Sequence, residues 1–128
     1  MPVVRRVNDS LQPTWGETEQ LLLQLVGKPG TQVSLEVGDD HWLIVEYVED
    51  FGYFVCGSVP AERDYFNLID SRLGDEITEG FLAHERHSFP RHTLVGQETM
   101  LRAARTFFRS GERDPTCEWV SEPDALYE

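Results

Sequence analysis

Residues 31–57 read Thr-Gln-Val-Ser-Leu-Glu-Val-Gly-Asp-Asp-His-Trp-Leu-Ile-Val-Glu-Tyr-Val-Glu-Asp-Phe-Gly-Tyr-Phe-Val-Cys-Gly. Val33, Leu35 and Val37 alternate with polar residues, the pattern of a strand with one wet face. Gly38-Asp39-Asp40 is a turn. His41 to Val48 is almost continuously apolar and rich in β-favouring side chains, which predicts a central strand covered on both faces. Glu49-Asp50-Phe51-Gly52 makes a second turn and Tyr53 to Cys56 a third strand, so the stretch predicts an antiparallel meander.

Outward from the meander the period changes to that of helices. On the N-terminal side, Thr14 and Glu17 stand in capping-box spacing, the hydroxyl taking an orphan backbone N–H and the glutamate reaching back. Leu21, Leu22, Leu25 and Val26 then share one helical face, and Gly27 with Pro29-Gly30 ends the run. On the C-terminal side, Gly96 is a tolerable cap and Glu98 suits the positive end of the helix dipole. Met100, Leu101, Ala104, Phe107 and Phe108 form an apolar stripe, Arg102, Arg105 and Arg109 lie elsewhere, and Gly111 closes the helix. Between these, Tyr65, Phe66, Leu68 and Ile69 suit either a strand or an irregular loop. Gly74-Asp75-Glu76 interrupts, residues 74–79 read as a loop, and residues 81–92 read as a loop or irregular strand closing at Pro90. His92 to Val95 and Glu118-Trp119-Val120 read as short strands. The expectation is an α+β fold, a mainly antiparallel sheet with two helices packed against it. It is read as a single domain over residues 1–128, with loose termini at 1–12 and 121–128.

The chain has 128 residues, with 11 Lys and Arg against 23 Asp and Glu, a formal net charge of −12. Such a surface repels nucleic acid and anionic membranes and favours a basic protein partner. No apolar run reaches the length of a membrane-crossing helix and the first ten residues lack the apolar centre of a secretion signal, so the expected location is the cytoplasm. Cys56 and Cys117 are too few for a disulfide framework. Charge is uneven along the chain: six acids and no Lys or Arg lie between Glu36 and Asp50, whereas six arginines face Glu85, Glu98 and Glu112 between His84 and Arg113. The residues singled out for partner contact are therefore Asp39, Asp40, Glu49, Asp50, Asp75, Glu76 and Glu79, with Phe51 and Tyr53 as aromatic anchors. The turns at 38–40 and 49–52 fall at opposite ends of one strand, so only one of them can join the 74–79 segment in a compact patch.

Candidate chemistry is sparse. His84-Glu85-Arg86-His87 with His92 is the one cluster with metal-ligand character, but it lacks a helical setting and a third well-placed ligand, and surface histidines are the expectation. No Ser, Cys or Thr stands in a nucleophile motif and no glycine pattern forms a phosphate loop, so neither a catalytic residue nor a cofactor is expected.

The block Thr93 to Phe108, with its Ala103-Ala104-Arg105-Thr106-Phe107-Phe108 core, followed by Asp114-Pro115-Thr116-Cys117-Glu118-Trp119, resembles the C-terminal signature of the first-numbered immunity-protein family of bacterial polymorphic toxin systems. The meander with its Gly-Asp-Asp and Asp-Phe-Gly turns is also similar to that family's central hairpins. The resemblance implies a cytoplasmic, non-catalytic inhibitor of a toxin protein, commonly one with a deaminase or nuclease domain. It does not assign contact residues. The competing reading is an acidic adaptor that docks on a basic protein without blocking catalysis; an enzyme using the histidines comes third.

Overall fold

The computed structural model describes residues 3–60 and 65–121. Their strands and helices run β1 (Arg6–Val7), α1 (Trp15–Gln24), β2 (Gln32–Gly38), β3 (His41–Val48), β4 (Gly52–Ser58), β5 (Phe66–Ile69), β6 (Ile77–Leu82), β7 (Glu85–Pro90), β8 (Leu94–Val95), α2 (Gln97–Ser110) and β9 (Glu118–Ser121). The main sheet is antiparallel in the order β1-β2-β3-β4-β5-β9, with β8 also pairing β4, and β6-β7 forms a separate two-stranded hairpin. This is the α+β fold expected from the sequence, with β3 central. The meander register is continuous from Trp42 opposite Ser58 to Val48 opposite Gly52.

Both helices lie on one face of the sheet. Leu22 and Leu25 from the α1 region and Met100, Ala103, Ala104, Phe107 and Phe108 from α2 pack on Val33, Leu35, Leu43, Val45, Tyr53, Val55, Phe66 and Leu68. Thr14 caps α1 by accepting the Glu17 N–H at 3.2 Å, and its hydroxyl donates to Glu17 Oε1 at 3.0 Å, so the glutamate reaches the side chain of the cap rather than its backbone. The last turn tightens into a 3₁₀ turn at Leu25–Gly27, which swings Val26 out to solvent although its spacing placed it on the apolar face. Gly111 ends α2 at φ 72°, a left-handed conformation that glycine adopts without steric cost, and its N–H reaches Phe107 O at 2.7 Å.

From Val3 to Val7 the N-terminal segment, expected to be loose over residues 1–12, packs onto the fold, and residues 1–2 lie outside the described residues. Val4 and Val7 are buried, Arg6–Val7 pairs with β2, and the amides of Val3 and Val4 donate to Phe108 O. The apolar side chains of a short segment supplied the anchor. At the other end Ser121 belongs to β9, and residues 122–128 lie outside the described residues.

The opposite face of the sheet is covered in part by the β6-β7 hairpin. Val48, Phe54, Phe89 and Leu94 form a second buried cluster, flanked by Phe51, Cys56 and Leu82. The segment read as a loop at 74–79 and the one read as a loop or irregular strand at 81–92 are thus largely strand from Ile77 to Pro90. Gly80 sets how close the hairpin lies, because a Cβ there would stand 2.5 Å from Val48 Cγ1. Val48 is fully buried and branched, so it has little room to yield. Gly80→Ala is expected to cost about 1–3 kcal/mol in urea denaturation through overpacking; an unchanged midpoint would mean that the hairpin floats above the sheet rather than seating on it.

Candidate functional site

Seating the hairpin creates a cleft of about 680 Å³ where it meets the β3–β4 turn. Tyr47 and the turn residues Glu49, Asp50 and Phe51 form one side, and Glu79 and Phe81 of β6 form the other. Pro29 and Gly30 close one end, where the His84 ring lies so close to Gly30 that a Cβ there would fall within 2.1 Å of its Cε1. Asp50 has φ 74°, the left-handed geometry that a tight β-turn demands and that aspartate tolerates better than most residues.

Alternation along β6 fixes what faces outward. Thr78, Gly80 and Leu82 turn toward the sheet, so Ile77, Glu79 and Phe81 turn to solvent. Ile77 is 61% exposed and Phe81 62% exposed, two large apolar groups left outside the core. Arg86 stands opposite Phe81 in the hairpin register and pairs with Glu79 across the strands. The hairpin tip is held from below by Glu46, whose Oε2 accepts the Ala83 N–H at 2.7 Å and whose Oε1 accepts Gln32 Nε2 at 3.0 Å.

The sequence-derived contact residues separate into three groups. Glu49, Asp50, Phe51 and Glu79 come together in the cleft. Asp39 and Asp40 are exposed at the opposite end of β3, where Asp40 O accepts Ser58 Oγ at 3.1 Å. Asp75 and Glu76 are exposed at the base of the hairpin and do not line the cleft. Two readings need correction. Tyr53 is not an exposed anchor: it is 3% exposed on the helix side, because its register opposite Tyr47 turns it into the core, with ring centroids 5.1 Å apart. Glu46, counted among the six acids between Glu36 and Asp50, is 1% exposed and serves the hairpin instead. Phe81, Ile77 and Arg86 were missed; the signal of the first two was the apolar-polar alternation of residues 77–82, hidden by its inversion, with large apolar groups on the wet face, and Arg86 is placed only by the pairing of β7 with β6.

The histidines disperse. His92 Nδ1 lies 3.1 Å from Gly74 O, His41 Nε2 lies 2.6 Å from Gly111 O, and the His87 ring lies tilted to that of Phe89 with centroids 6.0 Å apart. Among the described residues, no three His, Cys, Asp or Glu side chains gather in a metal-holding arrangement.

The model of the family described as Immunity protein Imm1 matches residues 4–121, nearly the whole chain. The chain belongs to this immunity-protein family. Nothing among curated proteins or solved structures matches it significantly. Membership implies a toxin protein as partner and points to inhibition by binding rather than catalysis. No helix among the described residues is long and apolar enough to cross a membrane. For an immunity protein the relevant chemistry is that of an interface, and the cleft with the outward face of β6 combines exposed apolar groups, carboxylates and a shaped recess.

Proposed function

We propose that this immunity protein works in the cytoplasm, without a cofactor, by direct occlusion. The β3–β4 turn and the outer face of the β6-β7 hairpin enter the substrate cleft of a nucleic-acid-acting toxin, a deaminase or nuclease. Glu49, Asp50 and Glu79 stand in for phosphates against the toxin's basic side chains, while Phe81 and Ile77 supply the desolvated centre that a tight interface needs. The observation that carries this reading is the exposure of Ile77 and Phe81 on the seated hairpin, with Phe81 lining a cleft that also holds Glu79 and, from the facing turn, Glu49 and Asp50. Exposed apolar groups of that size cost solubility, and burial against a partner offsets the cost.

Co-expression with the product of the adjacent upstream gene tests it. Cells carrying the toxin alone are expected to die and cells carrying both to survive, with the two proteins co-purifying. The triple variant Glu49→Lys, Asp50→Lys, Glu79→Lys is expected to weaken the complex by at least about 100-fold and to abolish protection, since reversing paired interface charges costs several kcal/mol. Asp39→Lys with Asp40→Lys, at the far end of β3, is expected to leave protection intact. Co-purification without any effect on toxin activity would instead identify an adaptor.

A further inference from the structure

The cleft already holds one cation. Arg86 projects from β7 into it, opposite Phe81, and its guanidinium sits against Glu79. Both partners are more than half exposed, so the pair contributes little to folding and is readily exchanged. Two further carboxylates on the facing wall, Glu49 and Asp50, have no ion-pair partner among the described residues. Three acids therefore surround a recess that contains one guanidinium, and its walls are aromatic: Tyr47 and Phe51 are half-buried and Phe81 is largely exposed. Aromatic faces and carboxylates together suit a planar cation on an aliphatic stem better than a compact ammonium, because the guanidinium stacks and forks at once.

Resting on the occlusion reading, and naming what that surface grips, we propose that the cleft between the β3–β4 turn and the β6-β7 hairpin receives an arginine side chain projecting from the toxin. The incoming stem lies against Phe81, since Arg91 already lies over the Phe51 ring at 5.7 Å from its centroid, and the incoming guanidinium bridges Glu49 and Asp50. Glu79, with its exposed and exchangeable Arg86, forms the opposite wall.

The site is tested without the toxin by titrating N-acetyl-arginine-amide into ¹⁵N-labelled protein. Saturable shifts are expected at the amides of Gly30, Phe51, Gly80 and Phe81, with affinity at least about tenfold weaker in the Glu49→Gln, Asp50→Asn variant. The asparagine keeps the left-handed turn open to that position, so the variant folds. N-acetyl-citrulline-amide, neutral and of the same shape, is expected to give no saturable response. Equal response to citrulline, shifts centred on Asp39 and Asp40, or no saturation with arginine would each overturn the proposal. Co-expression separates the two levels: a toxin that is bound and neutralised equally well by the Glu49→Gln, Asp50→Asn variant removes the arginine site and leaves occlusion standing. Arginine binding by a protein that neither binds nor neutralises its neighbour does the reverse.

Discussion

Replacing Glu46 with alanine is expected to cost about 2–4 kcal/mol of stability, because a carboxylate that is itself only 1% exposed gives up two charge-assisted hydrogen bonds. The Ala83 N–H and Gln32 Nε2 each point at a different carboxylate oxygen, so truncation removes both bonds. The Ala83 bond has a second consequence. Ala83 and His84 sit at φ 51° and 70°, a two-residue turn that favours Asn-Gly, and non-glycine residues there carry a penalty of about 1–2 kcal/mol each. Glu46 offsets that penalty by holding the tip. Urea denaturation should show the loss, and amide exchange from Ile77 to Pro90 should accelerate more than exchange in β3 and β4. Glu46→Gln keeps one acceptor oxygen and should lose about half as much. A loss below about 1 kcal/mol, with hairpin amides unchanged, would mean that the tip holds its own shape.

Removing Asp114 should have an effect of similar size and a distinct pH signature. Its carboxylate accepts Thr106 Oγ1 at 2.6 Å, Thr116 N at 2.8 Å and Thr116 Oγ1 at 2.6 Å, while its carbonyl accepts Trp119 Nε1 at 3.0 Å. One residue thereby ties the end of α2 to the approach to β9. Burial pushes the carboxyl pKa up, but the hydrogen bonds from Thr106 and Thr116, with the charge of Arg102, outweigh it and hold the group below the usual carboxylate range. A depressed folded pKa gives stability that is present above the unfolded value of about 3.9 and is lost as pH falls through the folded value. Asp114→Ala should cost about 2–4 kcal/mol at pH 7. Its stability should also fall less steeply than that of the wild type on acidification below about pH 4, because this contribution is already gone. Asp70, held down chiefly by its hydrogen bonds from Arg72, remains as a second acid-labile group in both proteins. Parallel pH profiles for the two proteins would show that the Asp114 carboxylate has no net preference for the folded state.

The meander and both helices were legible because their information is local. Val33, Leu35 and Val37 state a period of two, the cap at Thr14 and the stripe from Met100 to Phe108 state helices, and the turns lie between them. The hairpin was not legible for three physical reasons. Its turn, Ala83-His84, lacks the glycine or asparagine that marks such turns, since Glu46, 37 residues away, stabilises it. Its alternation is inverted, with Ile77 and Phe81 outward, so it does not read as a half-buried strand. Its seat depends on Gly80 meeting Val48, a contact between distant segments. Within the site, the opposition of the two β3 turns followed from strand geometry, whereas the joining of Glu79 to Glu49 and Asp50 required the hairpin's position. Tyr53 was misread for the same kind of reason: adjacency to a turn says nothing of which face the register selects.

The two faces of the β6-β7 hairpin answer to different constraints. Thr78, Gly80, Leu82 and Phe89 are bound by the sheet beneath them, whereas Ile77, Glu79, Phe81 and Arg86 touch mainly solvent. Exchanging the second set changes shape and charge at the rim of the cleft at little cost to the fold, since exposed positions away from caps and strained turns usually shift stability by within about 0.5 kcal/mol. The element can therefore drift in partner preference over generations, one alternate residue at a time, while the chassis beneath it remains the same.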